Sequence, residues 1–95
     1  MNLKDIIEDI HVLTDDVKVY ERKYGILSKT FYTNYSKGIE PENDDWVLDW
    51  SDWAGAYKIL IRRQQQYDEA IQALEAQNTD YLRKAARHDP IPIAS

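Results

Sequence analysis

Asp45, Asp49 and Asp52 stand at i, i+4 and i+7, a spacing that lines three carboxylates along one face of a helix. Carboxylates grouped in this way could hold a cation for metal-assisted hydrolysis, or could meet a basic protein surface. The metal reading lacks the alternating acidic loop of calcium modules and has no supporting ligands nearby. His11, with Glu8 and Asp15 on its helical face, spells a second metal-like triplet, but such spacing is common on charged, solvated helices. Ser28, Ser36 and Ser51 have no histidine nearby and no Gly-x-Ser-x-Gly turn, so a nucleophile triad is unsupported. The three glycines build no phosphate loop; Gly25 and Gly38 read as helix ends and Gly55 as a close-packing position. No catalytic residue, metal or cofactor is expected, and the chain reads as non-enzymatic.

The acids are better read as a docking face. From Ile39 to Tyr57 there are six acids and no base, while the rest of the chain mixes both signs. Asp44 and Asp45 are accounted for by the positive end of a helix that begins there. Asp49 and Asp52 are not, because the residues four further on are Trp53 and Ala56 rather than Lys or Arg. All three tryptophans share this segment, with Trp46, Trp50, Trp53 and Tyr57 forming one ridge. Trp50, Trp53 and Tyr57 are expected in the core, against Phe31, Tyr32 and Tyr35. Trp46, beside the acids and one turn from a loop, is expected to be part exposed and open to a partner. The partner-binding residues expected from sequence are therefore Trp46, Asp49 and Asp52.

The elements that must position them are helices. Leu3, Ile6, Ile10, Leu13, Val17, Tyr20 and Tyr24 recur in alternating steps of three and four, which predicts an amphipathic helix over 3–24 ended by Gly25. Ser28 is placed to cap a short helix over 29–37, with Leu27 and Tyr32 as a hydrophobic staple. Pro41 breaks the chain, and Asn43 or Asp44 caps the third helix. Trp50, Trp53, Tyr57, Leu60, Gln64, Tyr67, Ile71, Leu74, Asn78 and Tyr81 then continue a seam that predicts a very long helix over 45–86, on the order of 60 Å at about 1.5 Å per residue. The expectation is an all-α, antiparallel helical hairpin with a coiled-coil-like seam, forming one domain over 1–86. The tail 87–95 has two prolines and no periodicity and is expected to be flexible. Helix 3 outruns helix 1 and carries Gln64 and Asn78 on its seam, a pattern that predicts a homodimer assembling into a helical bundle.

Composition narrows the partner. Twelve basic against seventeen acidic residues give a net charge of -5, which disfavours direct nucleic-acid or membrane binding and suits a basic protein. The chain has no cysteine, so disulfides and thiolate chemistry are excluded. Without an apolar run long enough to span a bilayer, cytoplasm is the expected location.

The run YERKYGILSKTFYTNYSKG, an acidic loop, and then DWSDWAGAY resemble a pattern seen in small helical antitoxins of prokaryotic toxin-antitoxin operons. Tyr24, Gly25, Ser28, Phe31, Tyr32, Gly38, Asp49, Trp50, Asp52, Trp53, Ala54 and Tyr57 carry the resemblance, which covers Tyr20 to Tyr57. Lys29 and Thr30 stand where acids are usual in that pattern, and helix 3 runs longer. The resemblance implies an antitoxin-like interaction module that neutralises a more basic toxin through the acidic, aromatic start of helix 3. The alternative expectation is a structural or assembly protein acting through helical self-association.

Overall fold

A computed structural model of the chain describes residues 1–77 and 81–88, as four helices. They are α1 (Leu3–Tyr24), α2 (Ser28–Tyr35), α3 (Asp44–Gln77) and α4 (Tyr81–Ala86). The long α1 packs against the long α3, and the short α2 closes one end, giving a hairpin-like all-α fold. Paired positions run in opposite directions: Tyr24 meets Trp50, Tyr20 meets Trp53, and Asp9 bonds Arg63. α1 and α3 are therefore antiparallel.

The ends of α1 are set by two local devices. Asn2 is extended and its side-chain oxygen accepts from the Asp5 N–H at 2.9 Å, satisfying one of the donors that a helix start leaves free. Gly25 takes φ +75°, and its N–H donates to the Glu21 carbonyl at 2.8 Å. A Cβ at Gly25 would meet nothing within 4 Å, so backbone handedness and not space selects glycine there. Arg22 and Lys23 in the last turn complement the negative helix end.

The entry to α2 differs from the expected cap. Ser28 lies inside the helix as its first residue, Leu27 holds the cap position without a side-chain bond, and Leu27 is 69% exposed, so no staple forms. The capping acceptor comes instead from α1, as the Glu21 carboxylate (Oε2) accepts from the Ser28 N–H at 2.8 Å. A carboxylate held by a neighbouring helix satisfies the free donor and the positive helix end together, leaving the serine hydroxyl for another use. α2 ends at Tyr35, two residues short of expectation. Thr33 and Asn34 bond back to the carbonyls of Lys29 and Thr30, and the chain then tightens into turn bonds that end at Gly38, φ +93°. At α3 the expected cap forms, with the Asn43 side chain accepting from the Asp45 N–H at 2.8 Å.

Along α3, Trp53, Leu60 and Ala70 are buried and Trp50, Tyr57, Tyr67, Ile71 and Leu74 half-buried, but Gln64 is exposed. From Leu60 the seam can step by three or by four, and the chain steps by three. Arg63 reaches α1, its Nε donating to Asp9 at 2.9 Å, while its guanidinium also bonds Gln66. An ion pair across the helices thus takes the place that periodicity assigned to Gln64. Gly55 is likewise not a close-packing position: it is exposed, and a Cβ there would meet nothing within 4 Å. Burial along α3 reaches Ala70, so the stretch without cover from α1 is shorter than the seam alone implied. The expected helix through 86, its seam residue Asn78, the Tyr81 side chain and the flexible tail involve 78–80, 81 and 89–95, of which 78–80, 89–95 and that side chain lie outside the described residues.

Candidate functional site

The end of the hairpin where α1 stops and α3 starts is built of stacked rings. Trp53 is fully buried and lies parallel to Phe31, with ring centres 3.8 Å apart. Tyr20 and Tyr24 of α1 lie nearly parallel to the same indole at 5.8 and 5.7 Å. Trp50 meets Phe31, Tyr35 and Tyr24 edge-on, and Trp46 stacks on Trp50 at 6.1 Å. Such offset and edge contacts contribute on the order of 1 kcal/mol per pair beyond area burial. The ridge expected to be core is core at Trp53 and half-buried at Trp50 and Tyr57.

A polar hub holds this stack in place. The buried Ser28 hydroxyl donates to Glu21 Oε2 at 2.8 Å and accepts from Trp53 Nε1 at 2.9 Å. One serine thereby ties α1, α2 and α3 together, and Trp53 is oriented as well as buried. The sequence offered only a faint signal for this hub. Glu21 and Ser28 are seven apart across a glycine turn, and Trp53 is remote in the chain.

Trp50 has no such partner: its Nε1 is a buried donor without a hydrogen-bond acceptor among the described residues. An unmet buried donor costs about 1–3 kcal/mol. Trp50 also walls an apolar cleft of about 260 Å³ between the α1 end, α2, the following loop and the start of α3. Tyr24, Ile26, Tyr35, Ile39 and Trp46 contribute to its lining. Trp46 stands at 37% exposure, so one ring of the stack faces solvent in part.

The three residues singled out from sequence occupy different surroundings. Trp46 lines the aromatic cleft. Asp49, whose side chain is 24% exposed, accepts on one oxygen (Oδ2) from Lys23 Nζ and from the Tyr24 hydroxyl, both at 2.6 Å. Its partners come from the last turn of α1 and not from its own helix, which is why no i+4 base was visible. Asp52 is exposed and borders a separate hollow of about 290 Å³ with Asp16, Val19, Tyr20 and Ala56.

The charges act on the local ionisation equilibria. The hydrogen bond from Lys23, and then that from Tyr24, hold the Asp49 carboxyl below its ordinary range. The bond to Asp49 raises Lys23. Tyr24 is raised first by burial and then by its bond to Asp49. Tyr20 is raised by burial and by the carboxylates of Asp52, Asp49 and Asp16, which marks that hollow as negative.

Chemically, this arrangement offers rings, an enclosed N–H and negative charge. Its buried hydroxyl, that of Ser28, is bonded to the Glu21 carboxylate and to Trp53 Nε1 within the hub and does not line the cleft. Among the described residues no three His, Cys, Asp or Glu side chains are grouped to hold a metal, and Glu8, His11 and Asp15 are each exposed. No helix of the described residues is long and apolar enough to cross a membrane. No family model matches the chain, and neither curated proteins nor solved structures give a match.

Proposed function

We propose that this chain is a non-enzymatic protein-protein interaction module, antitoxin-like, that docks a more basic toxin protein through the aromatic and acidic start of α3. The observation that carries the reading is the apolar surface left open at that end. Six of the thirteen large apolar residues exposed among the described residues lie in its segments: Ile26, Leu27, Ile39, Trp46, Val47 and Leu48. A large group of exposed apolar residues beside an aromatic cleft supports a surface that a partner covers. The carboxylates around it exclude acidic partners and favour basic ones.

Within this reading Trp46 supplies the aromatic contact and Asp52 the free charge. Asp49 has a double role, because its carboxylate already holds Lys23 and Tyr24. The toxin as partner rests on the resemblance in Tyr20 to Tyr57, and cytoplasm is the matching location. Charge reversal at Asp52 is the cleaner test, since reversal at Asp49 would also break the contact with α1. In a pull-down with the protein encoded by the neighbouring gene, Asp52→Lys is expected to weaken capture at low salt. Unchanged capture removes Asp52 from the interface.

Self-association is a second reading, as an assembly protein or as the homodimeric form of the same module. The exposed Val12 and Val19 of α1 and Ile59 and Ile61 of α3 favour it, since they leave apolar side chains uncovered along the hairpin. Sedimentation that gives a monomer mass at every concentration removes this reading.

A further inference from the structure

We infer that the cleft beside Trp46 and Trp50 is an anchor pocket for one large apolar side chain, carried on an extended basic segment of a partner protein. The inference rests on the interaction reading above and specifies what is recognised. At about 260 Å³ the cleft falls below the roughly 300–1,000 Å³ of pockets that enclose small-molecule ligands. It suits a single leucine- or phenylalanine-sized group with its peptide unit. A partner helix would instead need a long groove for anchors at i, i+4 and i+7.

The rim selects the flanking charge. The lining itself is uncharged; the segment from Ile39 to Tyr57, which supplies Ile39, Trp46, Trp50 and Trp53 to it, carries six acids and no base, against Lys37 just ahead of it and Lys23, which is bonded to Asp49. A segment arriving here meets flanking chain with more acids than bases, which favours Lys or Arg beside the anchor. Trp46 adds a second attraction of the same sign, since its ring is part exposed and an indole face binds guanidinium well. In the wall, the Trp50 N–H has no acceptor among the described residues. The backbone carbonyl that travels with the anchor supplies one once the Trp46–Trp50 stack admits the segment.

The full chain, labelled with ¹⁵N at its indoles, is titrated with N-acetyl-Arg-Leu-Arg-amide while the indole N–H signals are followed. The same titration is run with the Arg-Gly-Arg and Glu-Leu-Glu analogues. The expected result is saturable displacement of the Trp46 and Trp50 signals in the millimolar range. Affinity should fall about tenfold or more when glycine replaces leucine, and the acidic analogue should not bind. Trp46→Ala, shown by circular dichroism to keep its helices, should abolish the response. A Trp50 signal that does not move to about 20 mM peptide, or an equal response to Arg-Gly-Arg, overturns the anchor pocket. The two levels fail separately. A toxin that binds the chain while the peptide stays silent removes the pocket alone, and a peptide that docks where no neighbouring protein binds removes the antitoxin reading alone.

Discussion

Ser28→Ala removes one oxygen atom, yet its expected cost is large because of what that oxygen joins. The Ser28 hydroxyl donates to Glu21 Oε2 at 2.8 Å and accepts from Trp53 Nε1 at 2.9 Å. Without it, the donor on the fully buried Trp53 is left unpaired, a penalty of about 1–3 kcal/mol. A hydrogen bond to an ionised carboxylate is also lost, worth about 1.5–3 kcal/mol, although the Ser28 N–H still reaches Glu21 and recovers part of it. We expect a net loss of about 2–4 kcal/mol. For a chain whose whole stability is of order 5–15 kcal/mol, that is a substantial share. Urea unfolding followed by tryptophan fluorescence measures it directly. With a slope of about 1–2 kcal/mol per molar, the midpoint should fall by about 1–4 M. α2 has eight residues and depends on packing for its stability, so its loosening should also shift Trp53 emission to the red before global unfolding. A double-mutant cycle with Trp53→Phe separates the hub from simple loss of volume, and a coupling of about 1 kcal/mol or more is expected. A Ser28→Ala loss below about 0.5 kcal/mol, the scale of ordinary surface substitutions, would refute the hub.

Gly55→Ala should stabilise the chain by about 0.5–1 kcal/mol, since a Cβ there meets nothing within 4 Å and the glycine sits inside α3; thermal unfolding checks the sign. Asp49 titrates below its ordinary value of 3.8, so its contribution is present above that pH and is lost as pH falls through the lowered folded value. Lys23 is raised above 10.5, so its share is complete below that pH and fades as pH rises through the raised value. Asp49→Asn should therefore flatten the stability profile at both extremes, read from unfolding midpoints between acid and alkaline pH, and an unaltered acid limb would contradict the assignment. Trp46→Ala should lower stability by about 1–3 kcal/mol, from one stacked ring contact and the apolar area it covers at a part-exposed site, while partner binding falls at least about tenfold.

Much of this fold is legible in local pattern, because helices are made of contacts between near neighbours. The step pattern from Leu3 to Tyr24 and the glycine after it specify α1, and Asn43 specifies the start of α3. The features that escaped depend on which faces meet. A serine ahead of a short helix reads as its cap until another helix brings a better acceptor, as Glu21 does here. Asp49 looked unpaired because helical spacing tests only its own helix, and its partners lie 25 and 26 positions away in α1. The choice of Arg63 over Gln64 is of the same kind, since steps of three and four are equivalent until Asp9 is opposite. Gly55 shows the reverse error, a glycine credited with a packing role where there is only solvent. At the candidate site, the part exposure of Trp46 beside the acids was readable, whereas the cleft, and a Trp50 N–H without an acceptor among the described residues, exist only once α2 lies against α3.

The proposed docking of a basic toxin at the aromatic and acidic end of the hairpin is open to a direct test. Calorimetric titration of the protein encoded by the neighbouring gene into this chain, its Trp46→Ala variant and its Asp52→Lys variant tests it most directly. The predicted result is a complex of micromolar affinity or tighter, weakened at least about tenfold by either substitution and weakened by added salt. A complex of equal strength with all three chains, or none with the unaltered one, would contradict it.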